Sequence, residues 1–381
     1  MQKVTVESTS DYWRIWLYLL EAAGLDVQLV NAREVKNVPG RAKTDKLDAV
    51  WLAKLTERGL LRPSFVPPAP IRQLRDYTRL RTDLVRDRAR QYQRLEKLLE
   101  DALVKVSSVA SSMDALSIRD MLEALIAGER DGFALAALAR GRMKRRHDDL
   151  VEALTGRFDD HHAELTRILL DAIDSLTGQI DQLTARIEAL VAALPQDAPG
   201  QHEHTNSPVP GPAGQAPTLS PVHRLAEIPG IKDRGAQIII AEIGLDMTRF
   251  PTADHLASWA KLTPRTVQSG PVLHGGKTGK GNPYLKGILG EAATAVAKTR
   301  TFLGERYRRL VKRRGKGKAL VAVARSILVI VWHLLSDPTA RYEDLGVDYY
   351  EQHINARKNL RSHIRQIEAL GYSVIVTPTA A

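Results

Sequence analysis

Lys43-Thr44-Asp45-Lys46-Leu47-Asp48-Ala49 is the stretch that decides how the front of this chain folds and what it does. It opens a predicted helix over Asp48–Leu60, and residues three apart on a helix share one face. Asp45 and Asp48 are therefore neighbours, and two carboxylates held that close repel each other. A cation between them relieves the repulsion, and hard oxygen ligands favour Mg²⁺ or Mn²⁺.

Upstream of that stretch, the spacing of apolar runs predicts a β-α-β unit. Val4-Thr5-Val6 and Val27–Val30 have the composition of strands, and Tyr12–Ala23 has that of a helix between them. Such a unit favours parallel pairing and an α/β layer. Glu7 closes the first run, at the predicted end of a buried strand. One strand acid facing a helix pair of acids is the arrangement of metal-dependent phosphoryl transfer, in which divalent ions hold the attacking and leaving oxygens.

Composition points to a basic chain with a sizeable core. The 381 residues are 44% hydrophobic, carry a formal net charge of +11 and include no cysteine, which excludes disulfides, zinc ribbons and thiol catalysis. The charge predicts a polyanionic partner, most often nucleic acid. The alternative is that the chain is simply a generally basic cytoplasmic protein. Met1-Gln2-Lys3 begins no signal-peptide pattern. The apolar run Ala319–Leu335 contains Arg325 and His333, so we expect a buried helix, no membrane span and a cytoplasmic location.

The order of composition along the chain predicts five segments: an α/β domain over 1–70, a long helical coiled coil over 71–195, a flexible linker over 196–221, a mainly α domain over 222–345 and a polar tail over 346–381. The coiled coil is predicted from a heptad seam. Its partner is either the earlier helix of the same chain or the same helix of a second subunit, and we expect a homo-oligomer. The seam consists of Leu169, Ile173, Leu176, Ile180, Leu183, Ile187, Leu190 and Leu194.

A helix-hairpin-helix-like element is predicted at the start of the mainly α domain. Leu225–Ile231 contains a Pro-Gly turn and leads through Gly235-Ala236 into an apolar helix. Such a hairpin frees backbone N–H groups at a helix N-terminus, and these bind phosphate without reading sequence. A plain helical hairpin is the alternative.

A predicted loop rich in Gly, Lys and Thr follows, over Leu262–Gly270 and His274–Asn282. Its glycines let the backbone approach phosphates, which Arg265, Lys277 and Lys280 would neutralise. The spacing is not that of a P-loop, so nucleotide hydrolysis is not supported. Ser269 precedes a flexible glycine and is a candidate nucleophile, although an ordinary turn serine gives the same pattern.

Further along, the segment Arg306–Lys318 contains eight Lys or Arg and no acid. A solvated helix face is the simple interpretation, but a stripe this dense beside a hairpin favours contact with a phosphate backbone. The predicted contacts are Arg308, Arg309, Lys312, Arg313 and Arg314. In contrast, Asp159-Asp160-His161-His162 predicts exposed surface and not a metal cluster, because consecutive helix residues point in different directions.

These motifs resemble those of insertion-sequence transposases of the IS-110 type. Val6–Thr9, Val30–Ala32 and the Lys43–Ala49 stretch resemble the N-terminal DEDD domain of that family. Ile228–Ile231, Leu262–Arg265 and Ser269-Gly270 resemble its C-terminal domain, and the order along the chain is the family's.

The resemblance implies a RuvC-like, RNase H-type fold for the N-terminal part and DNA recombination by an oligomer guided by a structured RNA. By this resemblance Glu7, Asp45 and Asp48 would be Mg²⁺ ligands, and Ser269 would form a covalent link to a DNA phosphate.

One feature departs from that family. Its pattern has a fourth acid on a strand before the Glu, whereas only six residues precede Glu7. We therefore expect an N-terminal domain truncated at its start, and weak or no activity from the chain alone. Two other functions fit the motifs: a RuvC-like nuclease that uses only the acids, and a non-catalytic basic coiled-coil protein that binds nucleic acid.

Overall fold

Parallel pairing of two short strands organises the first of the two units into which the chain divides, Met1–Ala69; the second is Pro70–Ala381. The structure, a computed structural model, describes residues 3–8, 11–32, 35, 44–194, 219–352 and 356–376. Lys43 and nearly all of the predicted linker lie outside the described residues. The elements of the first unit are β1 (Lys3–Ser8), α1 (Trp13–Ala22), β2 (Asp26–Asn31) and α2 (Asp45–Glu57).

β1 pairs with β2 in parallel, with Glu7 opposite Val30, so the predicted β-α-β connection is confirmed. The sheet has two strands within the described residues, and β1 is half-buried where a buried strand was predicted. A small core lies under β2, where Val30, Val35 and Leu55 are buried against the apolar side of α2.

Helix α2 begins three residues earlier than predicted. Thr44 is its N-cap, with an extended backbone and a side-chain oxygen that accepts a hydrogen bond from the N–H of Leu47. A threonine cap satisfies an N–H group that has no intrahelical partner. Asp45 therefore lies in the first turn, together with Asp48, and the prediction that placed the helix start at Asp48 was wrong.

Two long helices, α3 (Ala69–Asp101) and α7 (Asp160–Ala192), begin the second unit. They run antiparallel, because Arg88 of α3 donates to the Thr177 hydroxyl at 3.1 Å while Asp101, at the end of α3, meets His162, at the start of α7. A helical insertion connects them and is built from α4 (Leu116–Ile126), α5 (Gly132–Ala137), α6 (His147–Leu154) and two short 3-10 helices, Val106–Ser108 and Gly141–Arg146.

The interior of this helical region is shared between the long helices and the insertion. Leu95 and Leu99 of α3 lie in one buried cluster with Leu170 and Ile173 of α7 and with side chains of α4 to α6. Along the predicted seam, the three isoleucines are buried within this chain and all five leucines are half-buried. A coiled coil with a second subunit stays a prediction. The buried seam positions are Ile173, Ile180 and Ile187.

The remaining elements form a mainly helical region around one apolar helix, α13. In chain order they are α8 (Pro221–Ala226), α9 (Asp233–Ile243), a 3-10 helix (Met247–Arg249), α10 (Ala253–Trp259), β3 (Pro264–Ser269), β4 (Val272–Thr278), α11 (Pro283–Val296), α12 (Phe302–Arg314), α13 (Lys316–Ser336), α14 (Tyr349–Gln352) and α15 (Ala356–Glu368).

Helix α13 is long and apolar enough to cross a membrane by length and composition. It packs against α8, α10, α11 and α12 and buries a row of large side chains, so it has the contacts of a core helix. The polar tail holds two helices, α14 and α15. Tyr349 and Tyr350 of α14 pack on Phe302 at the start of α12.

Candidate functional site

The three predicted metal-ligating acids all lie in the first unit. Glu7 is on β1, and Asp45 and Asp48 are in the first turn of α2. Thr5, which shares a strand face with Glu7, is hydrogen-bonded at 2.5 Å to Thr56 of α2. Glu7 therefore lies on the face of β1 that packs against the helix carrying both aspartates.

The described structure does not gather these three acids into a tight metal-binding cluster. Within the described residues, one group of at least three His, Asp or Glu side chains has all its ligand atoms within 4.8 Å of one another: Asp101, His161 and His162. The carboxylate oxygens of Glu7, Asp45 and Asp48 do not all lie within that distance of one another. Mg²⁺ usually keeps several waters and binds through one or two carboxylates. Carboxylates are donors of that kind, and the assignment of Glu7, Asp45 and Asp48 as ligands of a divalent ion stays a prediction.

Ser269 occupies the last position of a strand, at the tip of a β-hairpin. It pairs with Val272 of β4 across the two-residue turn Gly270-Pro271. Gly270 has a φ of +58°, which glycine adopts readily and which the tight turns of hairpins require. The prediction of an irregular loop here was wrong, because apolar and β-branched residues flank the turn on both sides and favour pairing. The side chains of Arg265 and Ser269 lie outside what the structure describes.

The segment after β4 is fixed to α3 by a buried carboxylate. Glu242 of α9 is fully buried and accepts two hydrogen bonds from Arg79, at 2.7 and 2.8 Å, and one from the Asn282 amide. Arg75 donates to the main-chain carbonyls of Ala241 and Glu242, at the C-terminal end of α9. Two arginines thus satisfy a charge that would be costly to bury alone.

Asn282 extends this Glu242 network to the next helix. Its side-chain oxygen accepts from the N–H groups of Tyr284 and Leu285 and so caps α11. The Tyr284 hydroxyl donates to Asp83 of α3 at 2.7 Å, and burial is the main cause of a raised pKa for that phenol. The residue that ends the predicted Gly-Lys loop is therefore tied to two neighbouring helices.

Sequence reasoning missed Glu242 altogether. The run Ile238–Ile243 predicts only an apolar helix. A lone acid inside such a run could have indicated a buried ion pair, because carboxylates are almost never fully buried unless they are paired.

The predicted hairpin between α8 and α9 borders a groove with a volume of about 620 Å³. Gly230 has a φ of +84°, and a Cβ there would lie 2.6 Å from the Ala292 carbonyl oxygen, so only glycine fits. Lys232, at the N-cap of α9, offers no side-chain cap to the first N–H groups of that helix. Arg86 and Arg234 also line the groove. Burial lowers the pKa of Arg234, and the nearby Arg88 lowers it further.

The groove therefore combines uncapped N–H groups with cationic side chains, although acids line it as well. Glu227 is bound to Arg341, and Glu291 lies near Arg234. Assignment of this element as a helix-hairpin-helix motif stays a prediction.

The predicted cations of α12 are not equivalent. Arg308 is held by Glu305 at 2.9 Å and donates to the Thr299 carbonyl at 3.0 Å, so it is half-buried and already satisfied. Arg309 is exposed and stacks over the Tyr350 ring, with its guanidinium carbon 4.5 Å from the ring centroid. Three further cations are exposed in the last turn, where the helix dipole favours positive charge. They are Lys312, Arg313 and Arg314. In the hairpin region, Lys277 and Lys280 are also exposed.

The prediction that Asp159–His162 is merely exposed surface was wrong for His162. That side chain is 2% exposed, and its Nε2 lies 3.3 Å from a carboxylate oxygen of Asp101. Its Nδ1 accepts the main-chain N–H of Asp159 and closes a capping box at the start of α7. His161 brings a third ligand atom close. A neutral imidazole has one acceptor nitrogen, which the cap already uses, so a metal at Nε2 would have to break the cap.

Comparison with known proteins decides the family. A family model described as a transposase of the DEDD type matches residues 2–103, and a second, described as the transposase IS116/IS110/IS902 family, matches residues 222–308. A Streptomyces coelicolor protein named "Insertion element IS110 uncharacterized 43.6 kDa protein" is 28% identical over 311 residues, covering 79% of this chain and 72% of the relative. The chain belongs to the IS110-type transposases.

Two further relatives of the transposase are the "Pilin gene-inverting protein" of Moraxella bovis and that of Moraxella lacunata. Each is 31% identical over 115 residues, which is 29% of the transposase and 35% of the relative. The DEDD match implies a RuvC-like fold for the N-terminal region and a dependence on divalent metal. The transposase is thus an enzyme of DNA transposition or recombination, as the sequence predicted.

Proposed function

We propose that the transposase cleaves and rejoins DNA strands with Ser269 as the nucleophile and with divalent ions held by Glu7, Asp45 and Asp48. The observation that carries the proposal is the position of Ser269. It lies at the tip of a tight hairpin, inside the segment 222–308 that the second family model matches. Loops and turns carry binding and catalytic residues more often than the interiors of strands do, because they lie at protein surfaces.

The proposed chemical step is a transfer of the phosphodiester to serine. The Ser269 hydroxyl oxygen attacks phosphorus and forms a phosphoseryl ester, while the bond to one deoxyribose oxygen breaks. The serine hydroxyl gives up its proton in this step, and the leaving deoxyribose oxygen takes up a proton and departs as a hydroxyl. The reverse step, in which another strand's hydroxyl attacks the phosphoseryl ester and Ser269 regains a proton, rejoins DNA. Mg²⁺ or Mn²⁺, when bound by the three acids, would neutralise phosphate charge and polarise the scissile bond.

Three basic surfaces support DNA binding in this proposal. The exposed end of α12, Lys277 near the end of β4 with Lys280 just after it, and the groove at the α8–α9 hairpin all offer groups that contact phosphates without reading bases. Because Arg308 is satisfied internally, the α12 contact is assigned to Arg309 and to the cations of the last turn.

We also propose a structured guide RNA as partner, a homo-oligomer formed through the predicted seam, and a cytoplasmic location. The guide RNA rests on the family resemblance and on the net charge of +11. The oligomer rests on the half-buried leucines of α7, which leave apolar surface for a second subunit.

An assay for a covalent protein–DNA adduct tests the nucleophile. The full chain is incubated with Mg²⁺, the element's own RNA and a labelled DNA spanning an element end, and adducts are resolved on a denaturing gel. Ser269→Ala is expected to abolish the adduct. Ser258→Ala is the matched control, because Ser258 is an exposed serine of α10 in the same unit, and it should leave the adduct intact.

The competing functions give different results in the same assay. Cleavage that survives Ser269→Ala but is lost in Asp45→Asn/Asp48→Asn would favour an acid-only nuclease. DNA binding that survives every one of these substitutions, with no adduct or cleavage in any sample, would favour a non-catalytic binding protein.

A further inference from the structure

The helical insertion between α3 and α7 carries a basic and aromatic surface that the proposed function does not use. It lies in residues 104–221, between the segments that the two family models match. Five of the seven residues from Arg140 to Arg146 are basic. We name as the tip surface the set Phe133, Arg142, Lys144, Arg145 and His147.

Three of these cations are available to a ligand. Arg140 is paired with Asp120, and Arg146 is paired with Asp149 and donates to the Val109 carbonyl. Those two arginines hold the 3-10 helix against its neighbours. The three that remain are exposed, and within the part of the chain that the structure describes they make no ion pair. They are Arg142, Lys144 and Arg145.

An exposed aromatic ring lies close to His147, the residue that follows this basic run. Phe133, at the start of α5, is 65% exposed, and its ring centroid lies 6.1 Å from that of His147, the first residue of α6. The position is fixed, because α5 packs tightly on α6: a Cβ on Gly132 would lie 2.9 Å from the Thr155 hydroxyl. Phe133 therefore keeps an apolar ring in water, although burial of such a ring is favourable.

The acids near the tip surface are partly engaged. Asp131 caps α5 by accepting the N–H of Phe133 at 3.0 Å, and Asp148 lies 3.5 Å from the His147 ring. The three free cations outnumber them, so the surface keeps a positive balance.

We infer that the tip surface binds single-stranded DNA. Unpaired bases stack on exposed aromatic rings while neighbouring cations follow the phosphates, and this combination is how proteins hold single strands without sequence preference. The enzyme class supplies the ligand, because strand exchange by a transposase exposes unpaired DNA. The inference does not depend on Ser269, since binding at this surface requires no chemistry at the hairpin.

Fluorescence anisotropy with labelled 20-nucleotide oligo(dT), titrated with salt, tests the inference on the full chain. The triple variant Arg142→Gln/Lys144→Gln/Arg145→Gln should bind about 100-fold more weakly at 0.1 M salt, because each lost phosphate contact removes about 0.7 of a released counterion. The salt slope should fall by about two. Phe133→Ala should bind about tenfold more weakly, which corresponds to one lost stacking contact of about 1.4 kcal/mol, with an unchanged salt slope.

A matched triple variant removes three exposed cations elsewhere, Lys97→Gln/Lys105→Gln/Arg186→Gln, and should bind within about twofold of the unmodified chain. Circular dichroism confirms that each variant is folded. Equal losses in both triple variants, or oligo(dT) affinity unchanged in the tip variants, would overturn the inference. So would tip variants that lose affinity only for oligo(rU) or for duplex DNA. Ultraviolet cross-linking of thymine to Phe133 or His147 is the positive result expected from the same oligonucleotide.

Discussion

Removing the Glu242 carboxylate should destabilise the second unit more than any surface substitution. In Glu242→Ala, Arg79 loses both of its side-chain hydrogen bonds to Glu242 and Asn282 loses its acceptor. Breaking a buried pair from one side costs about 3–5 kcal/mol. The Arg79 side chain keeps 28% of its surface exposed, so water reaches part of the released charge and the lower figure, about 3 kcal/mol, is expected.

Urea unfolding followed by circular dichroism and tryptophan fluorescence measures the effect. A loss of about 3 kcal/mol corresponds to a fall in Tm of roughly 6–12 °C in a domain of 150–250 residues, and to somewhat less in this larger unit. Glu242→Gln should lose a similar amount, because an amide cannot accept both arginine bonds. Asp87→Asn, which removes an exposed carboxylate of α3, should change stability by less than about 0.5 kcal/mol. A loss below about 1 kcal/mol in Glu242→Ala would refute the reasoning.

Three other substitutions have defined outcomes in the same unfolding assay. Arg81 donates at 2.9 Å to the buried side-chain oxygen of Gln237, so Arg81→Met, which leaves that oxygen without its partner, should cost about 1–3 kcal/mol, and no loss would contradict this. Gly230→Ala should cost more than about 2 kcal/mol, because its Cβ meets a main-chain oxygen at 2.6 Å and the φ is positive; no loss would contradict the close packing. The hydrogen bond from Arg341 lowers the pKa of Glu227. The ionised Glu227 carboxylate therefore contributes its full stabilisation of the folded state above about pH 4.5, and this contribution is lost as the pH falls below that value. Glu227→Gln should therefore unfold with less dependence on acid, and an unchanged acid profile would count against that ion pair.

Local sequence patterns were enough to predict much of the fold. The β-α-β connection, the long helices α3 and α7 and the apolar helix α13 all follow from periodicity or from short apolar runs, and each is present. Helix boundaries were less certain, because one capping side chain, Thr44, moved the start of α2 by three residues. The hairpin of β3 and β4 was missed because its glycines and lysines outweigh a short strand signal.

The candidate site was only partly visible in the sequence. The acids and Ser269 stand in recognisable motifs, but nothing local relates Arg79 to Glu242, which are 163 residues apart. His162 was misjudged for the same reason, because its burial depends on the distant Asp101. Long-range pairs of this kind arise from packing between helices, which periodicity alone does not specify.

The length of α3 sets the distance between the Glu242 network, near the start of this helix, and the helical insertion that follows its end. Arg79 and Asp101 are 22 residues apart on this one helix, which corresponds to about 33 Å at 1.5 Å per residue. One turn of duplex DNA is about 34 Å long. Helix α3 thus holds the Glu242 network and the start of the helical insertion about one duplex turn apart along its axis.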